Sequence, residues 1–174
     1  FAVEGTIPAP VDWDGDGDED VVSGETSPVF DFFENTILDA SLAAMELSLP
    51  INPLDGFAVG GSHSAPALAD LDGDGDLDAV AGAYSGLFSF YENTGSATSS
   101  AYLERFGGAH PLDAVDVGEL SAPAFGDLDG DGWSELAVGA PTGTDDAHPG
   151  AIYLFSGADL AAGEMAKIGV TPSA

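Results

Sequence analysis

The sequence has almost no basic residues. Of its 174 residues only Arg105 and Lys167 are basic, against 31 Asp and Glu, which gives a formal net charge of −29. A nucleic-acid partner is excluded, because binding to phosphates requires several basic side chains that displace counterions. Attraction to an anionic membrane surface is excluded for the same reason.

Cysteine and long apolar runs are also missing. With no Cys, the chain has no disulfide, no thiolate metal site and no Cys nucleophile. No apolar run approaches the roughly 20 residues that a membrane-spanning helix needs, so membrane insertion is not expected. The sequence starts at Phe1 without a basic leader segment, which favours a processed chain or an excised segment over a precursor.

What the sequence does contain is enough apolar material for one folded domain. Hydrophobic residues make up 44% of the chain, with aromatic and branched residues spread throughout, which a disordered acidic segment would lack. The carboxylates must therefore be held by something other than basic side chains.

Fifteen of the 31 acids lie in three short loops of one pattern. Residues 12–20 read DWDGDGDED, residues 70–78 read DLDGDGDLD and residues 127–135 read DLDGDGWSE. Each loop has the form D-x-D-G-D-G-x-x-[DE], which is not the pattern of a solvated charge run.

The similarity extends beyond the loops, whose starts are 58 and 57 residues apart. Residues 64–66 (Ser-Ala-Pro) recur at 121–123, residues 34–36 (Glu-Asn-Thr) recur at 92–94, and residues 1–3 (Phe-Ala-Val) match residues 57–59. A fixed period of this kind indicates an internal repeat. It predicts three units, at residues 1–56, 57–114 and 115–174.

Within a unit the apolar pattern predicts β-strands. One short apolar segment leads into each acidic loop, a second follows it, and an alternating aromatic segment comes third, as at residues 87–91. A weaker fourth segment is predicted at residues 45–49, 102–106 and 165–170. The Ala and Leu content of residues 38–47 also fits a helix, but the alternation at residues 45–49 favours a strand.

The loop chemistry predicts a hard cation. Side chains at positions 1, 3, 5 and 9 and a carbonyl at position 7 can converge on one point, because the glycines permit a tight backbone path. Oxygen ligands alone suit Ca²⁺ better than Mg²⁺, and suit zinc or copper poorly. The predicted metal residues are Asp12, Asp14, Asp16, Asp18 and Asp20; Asp70, Asp72, Asp74, Asp76 and Asp78; and Asp127, Asp129, Asp131, Trp133 and Glu135. Asp18, Asp76 and Trp133 are expected to contribute their carbonyls.

Two other interpretations of the loops fit the sequence less well. A helix-flanked calcium hand needs a bidentate Glu at its twelfth position, where this chain has Ser23, Ala81 and Val138. A solvated Asp/Gly turn would explain one copy, but less well three copies in phase.

The repeats resemble the FG-GAP/VCBS repeat family, which forms the blades of integrin-α-type β-propellers. The third unit carries Phe-Gly at 125–126 and Gly-Ala-Pro at 139–141, and the second reads SAPALADLDGDGDLDAVAG, then GLFSFYENTG. The resemblance implies an all-β fold of three four-stranded antiparallel blades, with one calcium ion per unit in the loop between the first and second strands. Glu135 and a longer turn at residues 142–150 depart from the pattern.

Propellers usually close with 4 to 8 blades, so three blades imply a part of a larger assembly. Two sheet faces would be left open, to be covered by further chain or by copies in a closed ring or a filament.

Few other residues suggest chemistry. His63, His110 and His148 are interpreted as exposed loop residues, and no Ser-His-Asp arrangement is indicated. Trp13 and Trp133 are expected to pack against a neighbouring blade rather than to stack on a sugar.

The sequence therefore predicts a non-enzymatic, calcium-binding β-propeller module of a secreted or cell-surface protein, acting in adhesion, scaffolding or assembly. Its predicted partners are proteins, glycans or further copies that meet through open blade edges. The alternatives are a lectin-like propeller and part of a polysaccharide-degrading enzyme, which would need a His with a Tyr or Arg in one cleft.

Overall fold

The computed structural model describes residues 7–35, 52–113, 115–142, 149–162 and 167–170. These residues form mainly β-strands. In chain order the strands are β1 (Ile7–Val11), β2 (Asp20–Gly24), β3 (Phe30–Phe33), β4 (Ala65–Ala69), β5 (Asp78–Gly82), β6 (Phe88–Asn93), β7 (Tyr102–Arg105), β8 (Ala122–Gly126), β9 (Glu135–Thr142), β10 (Pro149–Phe155) and β11 (Lys167–Val170).

The strands form three antiparallel sheets in which each strand pairs with its neighbour in sequence. The sheets are β1-β2-β3, β4-β5-β6-β7 and β8-β9-β10-β11, called here the first, second and third sheets. The register repeats, because Ile7 pairs with Gly24, Ala65 with Gly82 and Ala122 with Gly139. The predicted strands are confirmed where they fall on described residues, and the segment at residues 38–49 lies outside them.

The second sheet lies between the other two, with β4 against both β1 and β8. Ala79, Ala81 and Tyr91 pack toward the first sheet, in a cluster with Val22 and Phe30 among others. The intervening residues of the same strands, including Val80, Phe88 and Phe90, pack toward the third sheet. Because both faces are covered, all five residues of β5 are buried, and the strand reads as a continuous apolar run.

Two short helical segments depart from the all-strand expectation. A 3-10 turn covers Gly107–Ala109, and helix α1 covers Gly157–Ala161. Ser156 caps α1 by accepting a hydrogen bond from the Asp159 N–H at 3.4 Å, and Leu160 anchors the helix in the core. Within the described residues, no helix has the length and apolar character needed to cross a bilayer.

Candidate metal centres

The three acidic loops each connect the first and second strands of a sheet. Their glycines lie in the left-handed region, with φ of 78° at Gly73 and 93° at Gly75 in the second loop and similar values at the corresponding glycines of the other two. Residues with a Cβ rarely adopt this conformation, so the two glycines allow the chain to wrap around a point.

A repeated set of hydrogen bonds holds each loop in this shape. In the second loop the Gly75 N–H donates to Asp70 Oδ2 at 3.1 Å, and the Asp74 N–H donates to Asp72 Oδ1 at 3.2 Å. The equivalent bonds join Gly17 to Asp12, Asp16 to Asp14, Gly132 to Asp127 and Asp131 to Asp129. The acids at positions 1 and 3 of every loop are thus fixed by the loop's own backbone.

Three acids converge in each loop. One carboxylate oxygen from each lies within 4.8 Å of the other two, and the three sets are Asp12, Asp14 and Asp16; Asp70, Asp72 and Asp74; and Asp127, Asp129 and Glu135. Two carboxylates about 4 Å apart repel by roughly 4 kcal/mol at an effective dielectric constant near 20. A divalent cation between them would turn this repulsion into attraction.

Several carboxylate oxygens in the loops are buried and accept no hydrogen bond from the described residues. They are Oδ1 of Asp12, Oδ1 of Asp18 and Oδ1 of Asp76. Asp76 is only 5% exposed. A buried acceptor without a partner is costly. Of these three residues Asp12 belongs to a converging set, where a calcium ion, which takes oxygen ligands only, would supply the missing contact. The residues present therefore fit calcium.

The ninth residue of each loop has a structural role that the sequence did not reveal. Asp78 is buried, and it accepts the Leu71 N–H at 3.1 Å and the Asn93 N–H at 2.8 Å. Asp20 accepts the N–H groups of Trp13 and Asn35 in the same way, and Glu135 accepts those of Leu128 and Gly157. This carboxylate ties the start of the loop to the end of the sheet's third strand.

Burial strongly affects the acids of the second loop. It raises the pKa of Asp78 to about 7, although the N–H donors of Asn93 and Leu71 act in the opposite direction. Burial, followed by neighbouring carboxylates such as Asp74, also raises the pKa of Asp72 and that of Asp76. In the first loop, burial raises the pKa of Asp18 and of Asp20. A bound cation would favour the charged form of each group.

The predicted ligand positions are thus brought together to different extents. Positions 1, 3 and 5 converge in the first two loops, whereas positions 1, 3 and 9 converge in the third. Asp20 and Asp78 lie outside the converging sets, held by backbone N–H groups. Coordination by these residues, and by the carbonyls of Asp18, Asp76 and Trp133, stays a prediction.

Both tryptophans lie against the neighbouring repeat, as expected. Trp13 is 8% exposed. Its ring centroid is 5.3 Å from that of Phe32 in the first sheet and 5.3 Å from that of Tyr102 in the second sheet. Trp133 covers Gly73 so closely that a Cβ on Gly73 would lie 2.7 Å from its ring. Each Trp thus joins one acidic loop to an adjacent repeat.

The expectation that His110 is an exposed loop residue is wrong. It is 7% exposed, its Nδ1 accepts the Leu112 N–H at 3.0 Å, and its Nε2 lies 3.1 Å from the Phe88 carbonyl oxygen. Burial lowers the pKa of His110. The Gly and Ala residues that precede His110 in the sequence do not indicate burial, because His110 is buried only when the segment after β7 packs against β6. His63 is half-buried against Tyr84, and His148 lies outside the described residues.

The role of the repeated Ser-Ala-Pro segments was also missed. Ser121 Oγ accepts the Ala83 N–H at 2.9 Å and lies 3.1 Å from the Leu87 carbonyl oxygen. Ser64 Oγ accepts the Glu25 N–H at 3.0 Å and donates to the Val29 carbonyl oxygen at 2.8 Å. Each hydroxyl fastens its own sheet to the hairpin of the preceding sheet. The recurrence of these residues in the sequence was the available signal.

A cleft of about 600 Å³ lies beside the first loop. Trp13 and Phe32 form part of its wall, and the polar residues include Asp14, Glu34 and Asn52 from the first repeat with Thr98 and Ser99 from the second. The single arginine lies elsewhere, in a bidentate pair with Glu92 in which both N···O distances are 2.7 Å.

Comparison with known proteins gives two findings. The family model of the FG-GAP repeat matches residues 120–155. Integrin alpha-4 of Xenopus laevis is 33% identical to this chain over 117 residues, which is 63% of this chain and 10% of that protein. The chain therefore spans only about a tenth of the length of the relative it matches.

Proposed function

We propose that this chain, in which the FG-GAP repeat model matches residues 120–155, is a calcium-binding β-propeller module of an extracellular or cell-surface protein. FG-GAP repeats are β-propeller blades, and the described residues form antiparallel sheets of three and four strands. The all-β fold class predicted from the sequence is confirmed. We propose three repeats, at residues 1–56, 57–114 and 115–174, as predicted.

The observation that carries the calcium proposal is the convergence of three carboxylates in each loop, together with buried oxygens that accept no hydrogen bond from the described residues. We propose one ion per loop, with ligands drawn from the predicted residues. Calcium sites of extracellular modules have dissociation constants of about 10⁻⁴ to 10⁻³ M, so millimolar calcium would fill them.

Removal of calcium should lower the melting temperature. A site whose ligand is at ten times its dissociation constant contributes about 1.4 kcal/mol, so three sites contribute about 4 kcal/mol. For a chain of this size, that corresponds to a decrease of roughly 10 °C. Calorimetry with calcium and after chelation measures the effect. An unchanged melting temperature in a sample shown to be metal-free would contradict the proposal.

Substitution in a loop should reproduce part of this loss. Asp72→Ala removes one of three converging carboxylates, and we expect a lower melting temperature in calcium and a smaller response to chelation. Asp55→Ala removes an exposed acid outside the loops and serves as the matched control. Equal responses of the two variants to chelation would argue against calcium in the second loop.

We propose a non-enzymatic role in adhesion or scaffolding, with protein partners. The name of the relative, an integrin chain, supports an adhesive role at the cell surface. Among the described residues, Arg105 is engaged by Glu92 and His110 is buried, so neither is free for acid/base chemistry. His63 contacts Tyr84 with ring centroids 5.5 Å apart, but neither residue lines the cleft beside Trp13.

A glycan ligand is the second candidate function, and the cleft beside Trp13 favours it. Hydroxyl, amide and carboxylate groups of Thr98, Asn52 and Glu34 line the cleft around an aromatic wall, a combination suited to sugar hydroxyls. A glycan array probed in calcium tests this function. Binding that is lost in Glu34→Gln would support it, and no binding in calcium would count against it.

A further inference from the structure

Two clefts lie at equivalent places in the chain, one beside the first acidic loop and one beside the second. The first is the cleft of about 600 Å³ described above, and the second has a volume of about 140 Å³. They are called here the first and second clefts. Their linings correspond with the spacing of the first two loops, so that Trp13, Asp14, Phe32, Glu34 and Pro53 match Leu71, Asp72, Phe90, Glu92 and Pro111.

Hydrogen bonds at the edge of each cleft support the same equivalence. In the first cleft Asn52 Nδ2 donates to the Phe30 carbonyl oxygen at 2.8 Å, and Asn52 Oδ1 accepts the Leu54 N–H at 3.0 Å. His110 makes the two corresponding contacts in the second repeat, at 3.1 and 3.0 Å. The clefts therefore share one design, and they differ in how the following repeat closes them.

The segment that closes each cleft follows the third strand of the next sheet. Ile152 lies opposite Gly139 in the third sheet, and Phe88 lies opposite Gly82 at the same place in the second sheet. With the third strands aligned in this way, the chain continues into helix α1 in the third repeat. In the second repeat it continues into a turn at residues 94–101.

Helix α1 fills the second cleft with an aliphatic side chain. Leu160 is 4% exposed and belongs to the same apolar cluster as Leu71 and Phe90. The turn in the second repeat presents polar residues such as Thr98 to the first cleft instead. Phe32, the counterpart of the buried Phe90, is accordingly only half-buried. Among the described residues, no aliphatic side chain takes the place of Leu160 in the first cleft.

The charges of the two clefts differ in the same direction. In the second cleft Glu92 is held by Arg105 through two bonds of 2.7 Å. Its counterpart Glu34 lines the first cleft together with Asp55. Lys167, which with Arg105 completes the basic residues of the sequence, lies on β11 at the far edge of the third sheet. A basic group beside Glu34 must therefore come from outside these 174 residues.

We propose that the first cleft binds a peptide segment of a partner protein, which inserts an aliphatic side chain beside Trp13 and places a Lys or Arg beside Glu34. The segment supplies the two groups that the second cleft receives from Leu160 and Arg105. This inference specifies the protein partner of the proposed function and rests on it, because Asp14 belongs both to the cleft wall and to the first calcium loop.

The two clefts together favour a peptide over a glycan. The group that occupies the equivalent cleft is an aliphatic side chain, and pockets of this kind, with an apolar floor and a polar rim, hold the anchor residues of protein interfaces. A neutral sugar would leave the carboxylates of Glu34 and Asp55 without an opposite charge. A basic residue complements them, and complementary charge also orients the approaching partner.

Titration of the ¹⁵N-labelled chain in saturating calcium tests the proposal. The probes are short blocked peptides of Gly and Ser that carry one Leu and one Arg, either adjacent or separated by one or two residues. We expect them to shift the signals of the Thr98 amide and the Trp13 indole. Replacement of the peptide's Leu by Ala should weaken binding about 10-fold. Replacement of its Arg by Gln should weaken binding about 3-fold.

Glu34→Gln should weaken binding of the Arg-containing peptide about 3-fold and leave binding of the Gln-containing peptide unchanged. Glu92→Gln is the matched control, because it makes the same change in the second cleft, which Leu160 already fills. It should leave binding of both peptides unchanged.

Three results would overturn the proposal. They are the absence of binding by every peptide, equal binding of the Leu and Ala peptides, and equal weakening by Glu34→Gln and Glu92→Gln. Neutral oligosaccharides that shift the same signals when no peptide does would assign the cleft to a glycan instead. A chain that binds no peptide but is still destabilised by chelation would leave the calcium proposal standing, so the two failures are distinguishable.

Discussion

The second and third sheets have the same strand order and register, yet their surroundings differ. The second is covered on both faces, whereas the third is covered by described residues on one face only. Phe88 and Ile152 therefore occupy equivalent positions with opposite exposure, and so do Gly82 and Gly139. In a repeat chain, therefore, a residue's contribution to stability depends on the neighbouring repeat as much as on its own.

The strongest test of this comparison replaces the two equivalent apolar residues, Phe88 and Ile152, by alanine. Phe88→Ala should destabilise the chain by about 3–5 kcal/mol, because it leaves a cavity between two sheets. Ile152→Ala should change the free energy of unfolding by less than about 0.5 kcal/mol. Denaturant unfolding at low protein concentration measures both values. Equal losses would mean that the two faces are equally covered.

A smaller difference in stability is expected at the two equivalent glycines, Gly82 and Gly139. Gly82→Ala forces a Cβ toward the Ser121 carbonyl oxygen, and such overpacking costs about 1–3 kcal/mol. Gly139→Ala meets no described atom and should be close to neutral. Thermal unfolding of the two variants compares them directly. A destabilised Gly139→Ala would reveal a contact on this face of the third sheet within the single chain.

The smallest effect concerns His110, which follows β7 and packs against β6. Burial lowers its pKa below the usual value of about 6.5, so below that pH the unfolded chain binds a proton that the folded chain does not. Stability should fall as the pH decreases below about 6.5, by at most about 1.4 kcal/mol per pH unit for this group.

Comparison with His110→Gln in saturating calcium isolates this contribution from that of the carboxylates. The variant should lose stability less steeply between pH 7 and pH 5 than the unaltered chain. Identical slopes would show that His110 is accessible to protons in the folded state.

Most of the candidate site could be predicted from sequence, because its ligands are close together in the chain. Asp70, Asp72 and Asp74 converge through the turn that their own glycines permit, and local spacing is enough to foresee this. The role of Asp78 could not be foreseen. One of its donors, the Asn93 N–H, is 15 residues away and arrives only when β6 pairs with β5.

The period, the strands and the three acidic loops follow from the sequence alone, since alternation, glycine positions and carboxylate spacing are local properties. Which faces are covered depends on the tertiary structure. It buried His110 and left Ile152 exposed where Phe88 is enclosed. These outcomes depend on how one sheet packs against the next. Such long-range contacts are not specified by the local sequence, which is similar in the repeats.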